Sequence, residues 1–150
     1  TLNAHKGTIY SVKYTSIGDY CISCGEDKLI QVFNPNAGTL VKTFEGHGKA
    51  VYDLCISKDS AKFASGGADR SVYLWDVEQG RNTKRFGGHS QRVNSVAFNE
   101  DASVLATGSY DAIVRLWDCR SNSHSPIQSL MNAKDSISSV EIFDKLIITG

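Results

Sequence analysis

Residues 46–76 read GHGKAVYDLCISKDSAKFASGGADRSVYLWD, and the same scheme precedes and follows them. Ala4-His5, Gly46-His47 and Gly88-His89 each stand at a fixed offset before Phe33-Asn34, Trp75-Asp76 and Trp117-Asp118, so the chain repeats itself every 42 residues. Four columns keep register: His5, His47 and His89; Ser23, Ser65 and Thr107; Asp27, Asp69 and Asp111; Phe33, Trp75 and Trp117. Between them the first unit carries strand-like runs at Ile9 to Tyr14, Tyr20 to Cys24, Leu29 to Phe33 and Thr39 to Phe44. Turn chemistry separates these runs at Ile17-Gly18-Asp19 and Pro35-Asn36-Ala37-Gly38. A repeat of roughly 40 to 45 residues, with Gly-His at one end and Trp-Asp at the other, marks a four-stranded antiparallel β-propeller blade. The expected fold is all-β, a single partial propeller with units 5–44, 47–86, 89–130 and an incomplete fourth at 133–150.

The first strand of each unit breaks the two-residue alternation at one place. Ile9 and Val12, Val51 and Leu54, Val93 and Val96 are three apart, whereas Val96 and Phe98 are two apart. One inserted residue near the strand start accounts for this, predicting a β-bulge that re-aims side chains at the rim. The fourth unit opens with Ile137-Ser-Ser-Val140 and reaches Thr149-Gly150, matching Thr107-Gly108. Its drift in spacing falls in connections that tolerate it, the lengthened Ser121–Pro126 loop and the shortened Phe143-Asp144-Lys145 loop.

Bulk composition narrows the function classes. Sixteen basic and sixteen acidic residues cancel, leaving no electrostatic footprint for a phosphate backbone or an anionic membrane, so nucleic acid is not expected as the direct partner. No run approaches the roughly 18 apolar residues of a membrane span, and Thr1-Leu2-Asn3 lacks a basic region followed by an apolar one. The chain reads as soluble and intracellular. Cys21, Cys24, Cys55 and Cys119 occupy dissimilar positions in the repeat, which predicts free thiols rather than a disulfide framework. Cys21 and Cys24 have C-x-x-C spacing, but residues three apart in a strand face opposite sides and cannot share a metal. No metal or cofactor is expected.

His, Ser and Asp in every unit are the residue types of a hydrolase triad. An active site is needed once, however, whereas an arrangement recurring at one spacing in every blade is structural, so no enzyme and no catalytic residue is expected. The columns suit a buried relay in which Asp accepts from His, His meets the Ser or Thr hydroxyl, and that hydroxyl meets the indole N–H. The relay set is His5, Ser23, Asp27 and Phe33; His47, Ser65, Asp69 and Trp75; His89, Thr107, Asp111 and Trp117. Phe33 has no N–H and Asn34 replaces the Asp, so the first relay is shorter and its blade is predicted to be the least rigid.

These residues make the chain similar to WD-repeat proteins. The runs GTLVKTFEGHGKAV (38–51), SGGADRSVYLWDV (65–77), VNSVAFNEDASV (93–104) and RLWDCRS (115–121) resemble more narrowly the mitogen-activated protein kinase organizer family of WD-repeat scaffolds. That resemblance implies a non-catalytic platform assembling kinase-cascade components, with association with splicing complexes as an additional role in some members. It implies a cytoplasmic location, with the nucleus as second compartment. It also implies a seven-bladed ring continuing past Gly150. About three and a half units leave an open arc, so the remaining blades or a second copy are expected to close the ring.

In WD-repeat propellers, the top face is built from the loops entering the inner strand and the turns between second and third strands. The positions so placed include Tyr10, Glu26, Tyr52, Arg92, Asn94 and Tyr110, with Tyr10, Tyr52, Arg92 and Tyr110 the leading candidates because Tyr and Arg are enriched at interface hot spots. The alternative is that the tyrosines only line a wet channel, ring packed and hydroxyl solvated. A second function class comes from Trp117-Asp118-Cys119-Arg120, which resembles the W-D-x-R motif of substrate receptors on cullin-RING ubiquitin ligases. There Arg120 would be the adaptor contact. Lys13, Lys28, Lys42, Lys84, Arg85 and His124 read as solvated surface or edge protection.

Overall fold

Alternating strand and turn chemistry produces fourteen strands with no helix among the described residues, 5–144 and 146–150 of a computed structural model. Ala4 in the first Ala-His pair, Thr1-Leu2-Asn3 and Lys145 lie outside those residues. Three sheets are four-stranded antiparallel meanders. The first comprises β1 (Ile9–Tyr14), β2 (Cys21–Gly25), β3 (Ile30–Asn34) and β4 (Thr39–Phe44). The second comprises β5 (Val51–Ile56), β6 (Lys62–Gly67), β7 (Val72–Asp76) and β8 (Arg81–Phe86). The third comprises β9 (Val93–Phe98), β10 (Val104–Ser109), β11 (Val114–Asp118) and the short β12 (Gln128–Leu130), which follows the lengthened loop. A two-stranded sheet, β13 (Val140–Phe143) and β14 (Leu146–Thr149), completes the described chain.

Two strands of the first sheet start one residue later than sequence pattern predicts. The carbonyl of Tyr20 accepts from the Thr15 N–H at 2.9 Å, which commits Tyr20 to the turn. Likewise the Leu29 N–H donates to the Asp27 carboxylate at 3.2 Å rather than to a neighbouring strand. The predicted bulges are present. Register shifts between Ile9 and Ser11 and between Val51 and Asp53, and Asn94 is skipped where Val93 and Ser95 pair with Ser109 and Gly108. Tyr10, Tyr52 and Asn94 are therefore the inserted residues. The insertion lets Val51 and Leu54 both reach 0% exposure despite their three-residue spacing.

Blades pack face to face through apolar layers. Ile22, Cys24, Ile30 and Val32 of the first blade meet Val51, Leu54, Phe63 and Trp75 of the second. Ala64, Val72 and Leu74 meet Val93, Val96, Leu105 and Trp117 in the next layer, and Ala106 and Val114 meet Ile137 and Val140 in the last. Ile9 and Val12, equivalent to Val51 and Leu54, are about half exposed on the outer face of the first blade. At the other end Phe143, Leu146 and Ile148 are exposed.

The glycine of each Gly-His pair has a steric task. A Cβ on Gly46 would sit 2.9 Å from Cη2 of Trp75, so the glycine makes room for the indole edge. Gly88, against Trp117, has φ +145, a conformation that disfavours any side chain. The turn before each third strand places Lys28, Arg70 and Ala112 in the left-handed region, at φ 70, 64 and 60. The preceding aspartate holds that turn by accepting from the N–H two residues on, at Leu29, Ser71 and Ile113.

Candidate functional site

The second and third blades contain a complete hydrogen-bonded relay. Trp75 Nε1 donates to Ser65 Oγ at 2.8 Å, Ser65 Oγ lies 2.8 Å from His47 Nε2, and His47 Nδ1 lies 2.9 Å from the Asp69 carboxylate. Trp117 reaches Thr107 Oγ1 at 2.9 Å, His89 Nε2 lies 2.8 Å beyond it, and His89 Nδ1 is 3.0 Å from Asp111. The first blade links Ser23, His5 and Asp27 at 2.7 and 2.9 Å, and Phe33 supplies no donor. Asn34 is outside the relay. Its Oδ1 accepts from the Ala37 N–H, as Asp76 accepts from Gln79 and Asp118 from Arg120, so the second residue of each Trp-Asp pair closes a turn and amide and carboxylate serve alike.

The relay aspartates carry their charge under load. Burial pushes the Asp69 carboxyl up, but the His47 ring and the N–H groups of Gly48 and Ser71 outweigh it and hold it below the usual carboxylate range. Asp27 and Asp111 are lowered by the same balance, burial against the backbone of Lys6 or Ser90 and the relay histidine. Burial drives His89 below the ordinary imidazole value by more than Asp111 raises it. All four folded-state values are depressed, so their contribution to stability is present above the unfolded values and disappears as pH falls through the folded ones. We expect the urea midpoint to fall on acidification, first below about pH 6.5 as unfolded histidine takes up protons and more steeply below about pH 4. A midpoint that rises between pH 7 and 5 would contradict a neutral buried His89.

The relay staples the connection entering each inner strand to the turn between second and third strands, and both belong to one rim, called upper here. Four of the predicted contact residues converge on it. The Tyr10 and Tyr52 rings meet edge to face at 5.0 Å, and the Arg92 guanidinium lies 5.6 Å from the Tyr52 ring and 4.6 Å from the Tyr110 ring. Three blades contribute. The other two predicted rim residues are occupied locally: Glu26 accepts from the Thr8 N–H at 3.2 Å, and Asn94 Nδ2 donates to the Ile137 carbonyl at 2.7 Å, tying the third blade to the fourth unit. Arg120 lies on the opposite rim, paired with Asp101 at 2.9 Å with both side chains more than half exposed.

Sequence reasoning passed over three anchoring side chains. Asp53, on an inner strand, accepts from Ser11 Oγ of the first blade at 2.9 Å and from Ser95 Oγ and the Val96 N–H of the third at 3.0 and 3.1 Å. One carboxylate thus ties three blades beneath the rim. The signal was available, since Asp53 is the lone charge in a column whose other members are Ser11, Ser95 and Ser139. Lys84 is half-buried and donates to the carbonyls of Asp118, Cys119 and Ser121, so it clasps the next blade instead of solvating a face. Arg115 joins the third relay through Asp111 at 2.9 Å. His124, expected to be merely exposed, also bonds the Arg85 carbonyl at 3.1 Å.

All four cysteines are free, and burial pushes their thiols up, Cys24 to about 12 and Cys119 to about 11. Among the described residues no group of His, Cys, Asp or Glu is arranged to hold a metal ion, and no helix is long and apolar enough to cross a membrane. An open cavity of about 490 Å³ lies between Tyr14, Cys55, Phe98 and Phe143.

Comparison with known proteins agrees with this architecture. The WD domain, G-beta repeat, matches residues 1–34, 38–76 and 80–118. WD repeat domain-containing protein 83 of Rattus norvegicus is 61% identical over 150 residues, covering 100% of this chain and 48% of its own. An uncharacterized WD repeat-containing protein of Schizosaccharomyces pombe is 64% identical over 145 residues, 97% of this chain and 49% of its own. The chain therefore spans about half the length of the curated relatives it matches. Among solved structures, U3-55K superposes with a TM-score of 0.92 at 22% identity, over 99% of this chain and 47% of that one. That similarity establishes the propeller fold.

Proposed function

Because the chain belongs to the WD40 family of WD domain, G-beta repeats, we propose that it is a non-catalytic platform whose upper rim holds protein partners. The observation that carries this reading is the convergence of the exposed Tyr10, Arg92 and Tyr110 around a half-buried Tyr52, from three blades into one cluster anchored by relays from below. Large, stiff side chains that are already positioned lose little freedom on binding, which is what hot-spot residues require. The partners proposed are components of a mitogen-activated protein kinase cascade in the cytoplasm, with splicing-complex association as the nuclear role. Both rest on the family resemblance carried by residues 38–51, 65–77, 93–104 and 115–121.

Tyr52→Ala is expected to weaken capture of a purified mitogen-activated protein kinase and its activating kinase by about tenfold or more, with circular dichroism unchanged. Unaltered capture would place the docking site elsewhere. The second reading, a substrate receptor of a cullin-RING ligase, is favoured by the exposed Arg120 of Trp117-Asp118-Cys119-Arg120. On that reading Arg120→Ala abolishes adaptor binding, whereas kinase capture is indifferent to it.

A further inference from the structure

The chain has six arginines, and five place the guanidinium on an acceptor. Arg70 reaches the Ser90 carbonyl, Arg81 the Gln79 side chain, Arg85 the Ser71 hydroxyl, Arg115 the Asp111 carboxylate and Arg120 the Asp101 carboxylate. Arg92 is the exception. Among the described residues its guanidinium has no hydrogen-bond or ion-pair partner, yet its position is defined. Its carbonyl accepts from the Tyr110 N–H at 3.0 Å and the Ser109 hydroxyl at 2.8 Å, and its head lies against the rings of Tyr52 and Tyr110. Ring contact orients a guanidinium while leaving its five N–H donors unused.

The rings beside Arg92 carry hydroxyls that can donate as well as accept. The hydroxyls of Tyr10, Tyr52 and Tyr110 make no hydrogen bond within the described residues. Asp53, the residue after Tyr52, is already engaged, its two oxygens accepting from Ser11, Ser95 and Val96. A preset cation held against two tyrosine rings with its donors unused is complementary to an anion, and its planar fork matches a carboxylate bidentately. Phosphate motifs are read by clusters of arginines, whereas Arg92 is the single cation against the Tyr52 and Tyr110 rings among the described residues, which favours a carboxylate.

Resting on the proposal that the upper rim docks proteins, we propose that Arg92 is its specificity determinant and receives an Asp or Glu side chain of the partner. The test uses blocked, fluorescein-labelled glutamine hexapeptides carrying at their centre two glutamates, two phosphoserines or no substitution, with binding to the protein followed by anisotropy at low salt. The glutamate peptide is expected to bind about tenfold or more tightly than the glutamine peptide, and the difference should fade at high salt. Arg92→Gln should erase that preference, Arg92→Lys should retain part of it, and Arg81→Gln on the opposite rim should leave it intact.

Equal affinity for the glutamate and glutamine peptides, or a preference that survives Arg92→Gln, overturns the assignment. Tighter binding of the phosphoserine peptide overturns the choice of carboxylate. If kinase capture is lost in Tyr52→Ala while the peptides are not discriminated, the rim still docks proteins but without this chemistry. If Tyr52→Ala changes neither capture nor peptide binding, the docking reading itself fails.

Discussion

Asp69→Ala is expected to lower the unfolding free energy by about 3–5 kcal/mol, read from urea titrations at neutral pH followed by tryptophan fluorescence. The carboxylate serves three donors, the His47 ring at 2.9 Å, the Gly48 N–H at 2.9 Å and the Ser71 N–H at 3.1 Å. Removing it strands a fully buried imidazole N–H and a backbone N–H of the buried Ser71 together, and neither can reach water. The loss spreads along the relay, since an imidazole free to turn no longer orients the Ser65 hydroxyl beneath the indole. Asp111→Ala should cost a similar amount, since Arg115 loses its carboxylate partner as well. Asp27→Ala should cost less, because its relay ends at Ser23 without an indole donor. Equal losses at Asp27 and Asp69 would show that the indole N–H contributes nothing to the network.

Trp75→Ala should cost about 3–5 kcal/mol by a different route. The indole is 2% exposed and lies 5.6 Å from Phe44, 5.7 Å from Phe63 and 5.5 Å from Tyr73, so truncation opens a cavity in the layer joining the first and second blades. Packing and hydrogen bonding can be separated. Trp75→Phe keeps most of the ring but loses the N–H, and should cost about 1–3 kcal/mol. Gly46→Ala should destabilise the parent, because its Cβ would sit 2.9 Å from Cη2 of Trp75, yet be tolerated in Trp75→Phe, whose smaller ring leaves that space. Within the sequence the first unit already pairs Ala4 with Phe33. A double-mutant cycle showing no coupling between positions 46 and 75 would refute this account of the glycine.

The propeller was legible because its determinants recur at fixed spacing. The positions of His47, Ser65, Asp69 and Trp75 recur three times, with Phe33 for the indole in the first unit and Thr107 for the serine in the third, and the three-residue separation of Val51 and Leu54 disclosed the bulge. The rim cluster was legible as a set of positions, though not as an arrangement. That Arg92 would lie against both Tyr52 and Tyr110 depends on how adjacent blades are rotated, which no single strand encodes. Asp53 and Lys84 escaped for a related reason. Each acts across a blade boundary, with partners 42 residues away for Ser11 and Ser95 and 34 to 37 away for the carbonyls of Asp118, Cys119 and Ser121. A charge read beside its own neighbours looks like surface; read one period away, it becomes a fastener.

The inserted residues at Tyr10, Tyr52 and Asn94 separate two jobs that an ordinary strand would combine. In a regular strand each side chain is assigned inward or outward by its neighbours, so a change of surface character constrains the core. The extra residue removes that constraint. Ile9, Val51 and Val93 keep their places, and the inserted residue can be a tyrosine facing the rim, as at positions 10 and 52, or an amide that reaches the next unit, as Asn94 does. If the upper rim docks proteins as proposed, its recognition is rewritable at Tyr10 and Tyr52 without redesigning the interior.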